Sequence, residues 1–324
     1  MTFKSLAQNC FKAIIKQIEE EKRPITNKEL LQICATFGEI GSAFINPHLP
    51  HEIAEAAFNN LIFEKYALPL LDETHPQRAC REILRPLTEK FPTQSWRSRD
   101  QICFQQFSTP PTIAYLLAYI LEITRNDSVL EPSAGTGNLA VWAKSRTTNI
   151  HTNEIAVTRR RLLEFFGFTP TDYDAEFIND FLSPEIMVDI VMMNPPFSSS
   201  GGRTKNNSSK FGFRHVESAL ERLNKGGKFG IILGEAGGLD TKTGNDFWRK
   251  MSDRIEVKSI IKIDGREYYK NGTTVDINVI TGRKLLETRN IDWNQALNKI
   301  INISVSSIEE AFIKNDQLNL RLDY

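Results

Sequence analysis

The sequence predicts an α/β fold, a largely parallel sheet with an antiparallel edge, preceded by a helical lobe. Up to about Phe91 the apolar residues recur at helical spacing. Past residue 125 short apolar runs alternate with helical segments, the pattern of a parallel sheet. The last two runs are joined by a connection spaced like a hairpin rather than a crossover, which predicts the antiparallel edge.

The lobe comes first. Leu6, Cys10, Ala13, Ile14 and Ile18, then Leu30, Ile33 and Cys34, then Ile53, Ala56, Ala57 and Leu61 form successive apolar stripes. Its breaks are chemical: Pro24, the capping-box-like start Thr26-Asn27-Lys28-Glu29, the Asn46-Pro47 and Leu49-Pro50 turns, and Pro86 and Pro92. Strands are expected at 128–130, 149–154, 188–193, 229–233, 257–263 and 275–281, and from about 285 onward the chain is polar and weakly patterned. These boundaries divide the chain into a lobe (1–95), a core (96–284) and a short extension (285–324).

Composition narrows the classes. Hydrophobic residues make up 40% and charged residues 25% of the 324, which excludes disordered, collagen-like and coiled-coil chains. The longest apolar run, 113–121, is too short to span a bilayer, and the first 22 residues lack a signal-peptide pattern, so no membrane association and a cytoplasmic location are expected. Cys10, Cys34, Cys80 and Cys103 are too widely spaced for a zinc ribbon or a disulfide framework. Forty basic residues balance forty acidic ones, so a nucleic-acid partner has to be argued from where charge sits. Residues 198–214 are rich in Ser, Gly and Asn, contain Arg203, Lys205, Lys210 and Arg214 and no acid, and are expected to form a mobile cationic loop that contacts phosphates.

Four motifs carry chemistry. Val129-Leu130-Glu131-Pro132-Ser133-Ala134-Gly135-Thr136-Gly137-Asn138 is a strand running into a glycine turn, where Gly135 and Gly137 let backbone approach a ligand. Glu154 ends the next strand, where an acid bonds a ribose hydroxyl pair. This pattern alone is open to a dinucleotide and to S-adenosylmethionine; Glu131 beside the glycines suits a cationic donor better than a phosphate.

The second motif, Asn194-Pro195-Pro196-Phe197, sits at the C-terminal tip of the 188–193 strand. A conjugated amine is a poor nucleophile because its lone pair is delocalised. Two acceptors on its hydrogens localise that pair, and the Asn194 side-chain oxygen and the Pro195 carbonyl can supply both. Two prolines stiffen the turn, and Phe197 offers a face for a planar substrate.

Third, Phe107-Ser108-Thr109-Pro110 precedes a helix that Ser108 or Thr109 is expected to cap, with Pro110 in its first turn, leaving an N-terminus suited to a carboxylate. Fourth, Asp180-Phe181 follows at the next strand tip, an acceptor for an exocyclic amine and a ring for adenine, with Asp174 as the fallback acid.

The motif order Phe-x-x-Phe-Ser-Thr-Pro, Glu-Pro-Ser-Ala-Gly-Thr-Gly, Asp-Phe, Asn-Pro-Pro-Phe resembles the γ arrangement of DNA N6-adenine methyltransferases. Residues 104–284, including Asp264-Gly-Arg-Glu-Tyr-Tyr-Lys-Asn-Gly-Thr-Thr274, resemble the methyltransferase-like portion of phage and plasmid strawberry-notch-type proteins. The resemblance implies a Rossmann-like S-adenosylmethionine-dependent methyltransferase with a mixed seven-stranded sheet. It implies donor contacts from Phe107, Thr109, Glu131, Gly135, Gly137, Glu154, Asp180 and Phe181, and catalysis by Asn194, Pro195, Pro196 and Phe197 on adenine flipped from DNA. The chain departs from γ-type enzymes in having only about 40 residues after Lys284, where they carry a large target-recognition domain.

Protein glutamine N5-methylation and RNA methylation use the same device and are the near alternatives; a non-catalytic DNA-binding module is the distant one. A dinucleotide oxidoreductase leaves Asn194–Phe197 unexplained. His48 and His51 lack a third metal ligand nearby, and no metal is expected. Arg159-Arg160-Arg161 is expected as a solvated face; the basic stretch 78–99 is expected either as phosphate-tracking or as solvated surface.

Overall fold

A computed structural model describes residues 3–37, 48–94, 107–196 and 211–322. The lobe consists of α1 (Phe3–Ile15), α2 (Asn27–Phe37), α3 (Leu49–Leu61), α4 (Ala67–Leu71), α5 (Pro76–Ala79) and α6 (Arg85–Glu89). The capping box forms as the sequence predicts: the Thr26 hydroxyl accepts from the Glu29 amide at 3.2 Å, and the Glu29 carboxylate accepts from the Thr26 amide at 2.9 Å.

Seven strands, β1 (Val129–Glu131), β2 (Ile150–Thr152), β3 (Val188–Met193), β4 (Leu223–Gly234), β5 (Ile255–Ile263), β6 (Ile277–Lys284) and β7 (Ile301–Val305), form one sheet in the order β2-β1-β3-β4-β6-β5-β7. β6 runs antiparallel to both its neighbours, and the other pairings are parallel. The predicted antiparallel edge thus lies one strand inside the sheet, because β7 adds a parallel strand beyond β5. β7 and the helix Ile308–Leu318 correct the reading of the C-terminal residues as weakly patterned. The strand leaves a weak sequence signal because it is half-exposed and alternates Ile with Asn and Ser in a short run.

Chain order reverses at β1, which pairs with β2 on one side and β3 on the other. Parallel α/β sheets bind ligands at such a crevice, beyond the carboxyl ends of the strands. Leu130 of β1 lies opposite Val191 of β3, so the glycine turn after β1 and the Asn194 turn after β3 emerge side by side.

The sheet is buried on both faces, and on one face its core is continuous with that of the lobe. Helix α7 (Pro111–Leu121) is buried along nearly all its length: the Tyr115 hydroxyl donates to the Leu70 carbonyl of α4 at 2.7 Å, and the ring of Phe312 lies 4.9 Å from that of Tyr115. Polar ties add to this packing. Arg159 pairs with Glu52 of α3 at 3.0 Å, and Arg85 of α6 with Glu267 at 2.6 Å and with Glu309. The Lys270 ammonium donates to the carbonyls of Thr88, Glu89 and Phe91. Among the described residues no helix is long and apolar enough to cross a membrane, and Cys10, Cys34 and Cys80 are buried free thiols.

Candidate functional site

Glu131 at the tip of β1 leads into the turn. Gly135 and Gly137 hold φ of +57° and +97°, a region closed to side chains without strain, and none of the described residues lies within 4 Å of where a Cβ would stand at Gly135. At Gly137 a Cβ would press on Leu163 of the helix Val157–Phe165 at 3.3 Å. One glycine therefore leaves open space beside the backbone; the other permits close helix packing.

Glu154, just past β2, turns its carboxylate onto this turn. Its two oxygens accept from the backbone amides of Gly135 and Ala156, both at 2.8 Å. Each retains lone-pair capacity for a further donor. Ile155, the next residue, is exposed despite its size. Glu131 is 2% exposed, and its Oε2 has no hydrogen-bond partner among the described residues. Burial pushes its pKa well above the carboxylate range, with the Glu154 charge adding to the effect.

Asn194 lies immediately beyond β3. Its amide nitrogen donates to the Phe107 carbonyl at 3.1 Å, the Thr109 hydroxyl at 2.9 Å and the Tyr268 hydroxyl at 3.4 Å. A carbonyl can only accept, so Phe107 fixes which way the carboxamide points. The opposite atom, Asn194 Oδ1, is buried with no hydrogen-bond partner among the described residues. Tyr268 is fully buried, and burial raises its pKa, keeping the phenol neutral. Pro195 and Pro196, also buried, follow directly.

The capping expectation for α7 is overturned. The helix starts at Pro111 after an N-cap at Pro110, with no side-chain cap. Two successive prolines shift its start beyond Thr109, whose hydroxyl holds Asn194 instead. The Thr109 carbonyl accepts from the Asn138 amide of the glycine turn at 2.9 Å.

Asp180 is exposed on the short helix Ile178–Phe181, and Phe181, 53% exposed, stacks on Tyr173 at 5.4 Å. Asp174, the fallback acid, is used locally to cap the turn at Glu176. Phe197, Arg203, Lys205 and Lys210 lie outside the described residues. Arg214 sits in the helix Phe211–Glu221 and pairs with Glu176 at 2.9 Å, so the last cation of the 198–214 stretch is helical and neutralised.

Other expectations change. Arg159 is buried against Glu52, and Arg160 donates to the carbonyls of Glu154 and Ile155, which leaves only Arg161 as solvated surface. Arg85 is a structural tie, and Arg97 and Arg99 lie outside the described residues. His51 is buried, and burial lowers its pKa to about 4. Asp174, Glu176 and His215 are grouped within 4.8 Å, a set unrelated to the two histidines singled out in the sequence, and the Arg214 guanidinium already supplies positive charge there.

The sequence left Tyr268 and Asn138 without individual roles. Both stand inside stretches quoted above, Asn138 at the end of the glycine turn and Tyr268 between Asp264 and Thr274, but residue type alone does not say which partner either would meet.

Residues 103–294, over half of the chain, match the family described as N-6 DNA Methylase. No curated protein matches the chain. A structure described as a class I S-adenosylmethionine-dependent methyltransferase from Listeria monocytogenes is similar over 97% of this chain and 96% of that one, with 13% identity and a TM-score of 0.53. The modification subunit of a type I restriction enzyme from Vibrio vulnificus YJ016 is 16% identical over 75% of this chain, with a TM-score of 0.48, and the chain spans only 57% of that subunit. A type I restriction-modification methyltransferase subunit from Streptococcus thermophilus is 15% identical over 97% of this chain and 86% of that one, with a TM-score of 0.47. The Listeria likeness identifies the sheet as the Rossmann-like S-adenosylmethionine-dependent methyltransferase fold.

Proposed function

The chain belongs to the N-6 DNA methylase family, and from that premise we propose that it transfers the methyl group of S-adenosylmethionine to the N6 amino group of adenine in DNA. The observation that carries this reading is Asn194 Oδ1: a buried acceptor without a partner among the described residues, oriented by three bonds to its nitrogen, beside the glycine turn. Within the family, the motif order supports the γ arrangement and a likeness to strawberry-notch-type methyltransferase portions. On the same reading, 96–284 form the catalytic core, 1–95 a lobe packed on it, and 285–324 its closing strand and helix.

The residues at the glycine turn fit the donor. Glu131 Oε2, a buried acceptor with no partner among the described residues, suits the donor's ammonium. The space beside Gly135 admits its backbone-hugging chain, and Glu154 has lone pairs for ribose hydroxyls. Ile155 and Phe181, both exposed apolar side chains, suit its adenine, with Asp180 accepting from the exocyclic amine. When bound, S-adenosylmethionine supplies an electrophilic methyl group.

The chain's own part is to present the amine. Asn194 Oδ1 and the Pro195 carbonyl accept its two hydrogens, which draws nitrogen toward sp³ and localises its lone pair. The Phe107 carbonyl keeps the carboxamide from turning over, and the Thr109 and Tyr268 hydroxyls hold it in place. The adenine leaves the helix stack to reach this edge, and Phe197 stacks on it. No side chain has to remove a proton before attack, so orientation carries the catalysis, and the surplus proton departs after transfer.

Incubating the protein with methyl-labelled S-adenosylmethionine and unmethylated DNA, RNA and protein substrates, followed by digestion, tests the reading. Label in N6-methyladenine from DNA is expected. Label confined to RNA or to glutamine overturns it.

Donor affinity is expected to rise with pH. Glu131 has a raised pKa and is protonated in the free site at low pH, whereas the ammonium binds its ionised form, so binding releases a proton and strengthens until Glu131 ionises unaided. Calorimetry between pH 5.5 and 8 in buffers of different ionisation enthalpy measures both the slope and the proton count; a flat profile in wild type removes Glu131 from donor binding.

Neutralising Arg203, Lys205 and Lys210 together is expected to weaken DNA binding about equally across sequences and to reduce the salt slope by up to about one unit per lost phosphate contact. DNA affinities at several salt concentrations check this, and an unchanged slope excludes the loop from DNA binding.

A further inference from the structure

We propose that Asn59, on helix α3 of the lobe, is a positioning residue that sets the glycine turn and, through it, the Asn194 carboxamide. The inference rests on the methyltransferase reading above. Asn59 lies outside the residues that match the family, and nothing in the sequence distinguishes it from its neighbours on α3.

Asn59 is 3% exposed, and its amide nitrogen converges on the turn: 3.0 Å from the Thr136 carbonyl, 3.4 Å from the Thr136 hydroxyl and 3.2 Å from Asn138 Oδ1. Thr136 stands between Gly135 and Gly137, the two residues with the widest conformational freedom in the turn. Glu154 ties this turn from one side through the Gly135 amide; Asn59 ties it two peptides further on, through the Thr136 carbonyl. One helical turn before Asn59, on the same face, Glu55 accepts from the Thr136 hydroxyl and from the Gln94 amide. The lobe therefore presents a polar face shaped to the glycine turn.

The bonds continue beyond the turn. With its oxygen engaged by Asn59 at 3.2 Å and by the Thr136 hydroxyl at 2.9 Å, the Asn138 carboxamide directs its nitrogen to the Thr109 carbonyl at 2.9 Å, and the Thr109 hydroxyl accepts from Asn194 at 2.9 Å. Asn59, Asn138 and Thr109, all buried, and the half-buried Asn194 form one relay from the lobe to the methyl-acceptor side of the site. Packing alone does not call for it: an apolar side chain would fill the same volume, and a buried amide is tolerated only when it is bonded. What the amide adds is direction, imposed on a segment whose glycines leave it otherwise free.

The experiment uses the full chain, with S-adenosylmethionine titrated by calorimetry and methyl transfer to unmethylated DNA measured over donor concentration. Asn59→Leu is expected to raise both Kd and KM for the donor by about tenfold or more, given the loss of two to three buried hydrogen bonds to the turn. It should lower kcat at saturating donor several-fold, while leaving donor-free DNA affinity unchanged. Ile53→Val, a buried change on the same helix away from the turn, is the stability control and is expected to lower Tm without moving donor Kd. Unchanged donor affinity in Asn59→Leu overturns the proposal, as does a loss in Ile53→Val in proportion to its Tm, which would mean that lobe stability alone governs the site. If Asn59→Leu does not fold, Asn59→Ala is titrated with the same criteria. Wild type that fails to bind S-adenosylmethionine overturns the methyltransferase reading instead, and this inference with it.

Discussion

Asn194→Ala is expected to lower the maximal rate of methyl transfer by more than about 2 kcal/mol of barrier, roughly thirtyfold, the scale of a lost preorganised hydrogen-bonding partner in a transition state. It removes Oδ1, the acceptor proposed to act on the target amine, and touches no residue proposed to hold the donor directly. Donor Kd should shift by less than about threefold, since the Thr109 carbonyl keeps its bond from Asn138 after the side chain is gone. Single-turnover rates at saturating donor and DNA, paired with calorimetry, separate the two quantities. A variant retaining more than a tenth of the rate assigns catalysis elsewhere. Asn194→Asp is the sharper companion: it keeps an acceptor toward the amine but presents a second oxygen to the Phe107 carbonyl, so it should also be inactive, through lost orientation.

Glu154→Ala is expected to weaken S-adenosylmethionine binding by about 1.5–3 kcal/mol, the range of a hydrogen bond to a charged group. The structure gives this residue a second task that the sequence reading did not contain. The carboxylate accepts from the amides of Gly135 and Ala156, so its removal also frees the glycine turn. The loss should therefore fall at the upper end of the range, and Glu154→Gln should recover only part of it, because one amide oxygen cannot replace both carboxylate oxygens. Little change in kcat at saturating donor is expected. Preserved calorimetric affinity in Glu154→Ala would exclude a donor-binding role, and tight binding of NADH by wild type would overturn the methyltransferase proposal as a whole.

Much of the site was legible because its elements are local. Glycines at positions of positive φ, an acid after the second strand and a stiff Asn-Pro-Pro turn after a buried strand are each encoded within a few residues, where backbone sterics and turn chemistry act. The alternation of strands and helices foretold the parallel sheet for the same reason, and the short connection between β5 and β6 foretold the antiparallel strand.

Roles that depend on which segments meet were decided by tertiary structure. Thr109 has the composition of a helix cap, yet its hydroxyl serves Asn194, 85 positions away, because two prolines move the helix start and β3 delivers the carboxamide beside it. Arg159 looks like part of a solvated run until α3 places Glu52 against it. Asn59, Asn138 and Tyr268 acquire their contacts only when lobe, glycine turn and the connection after β5 converge on one edge. A side chain's own residue type and near neighbours determine what it can bond; which partner it finds is set by burial, since a polar group removed from water must bond whatever the fold has placed within reach.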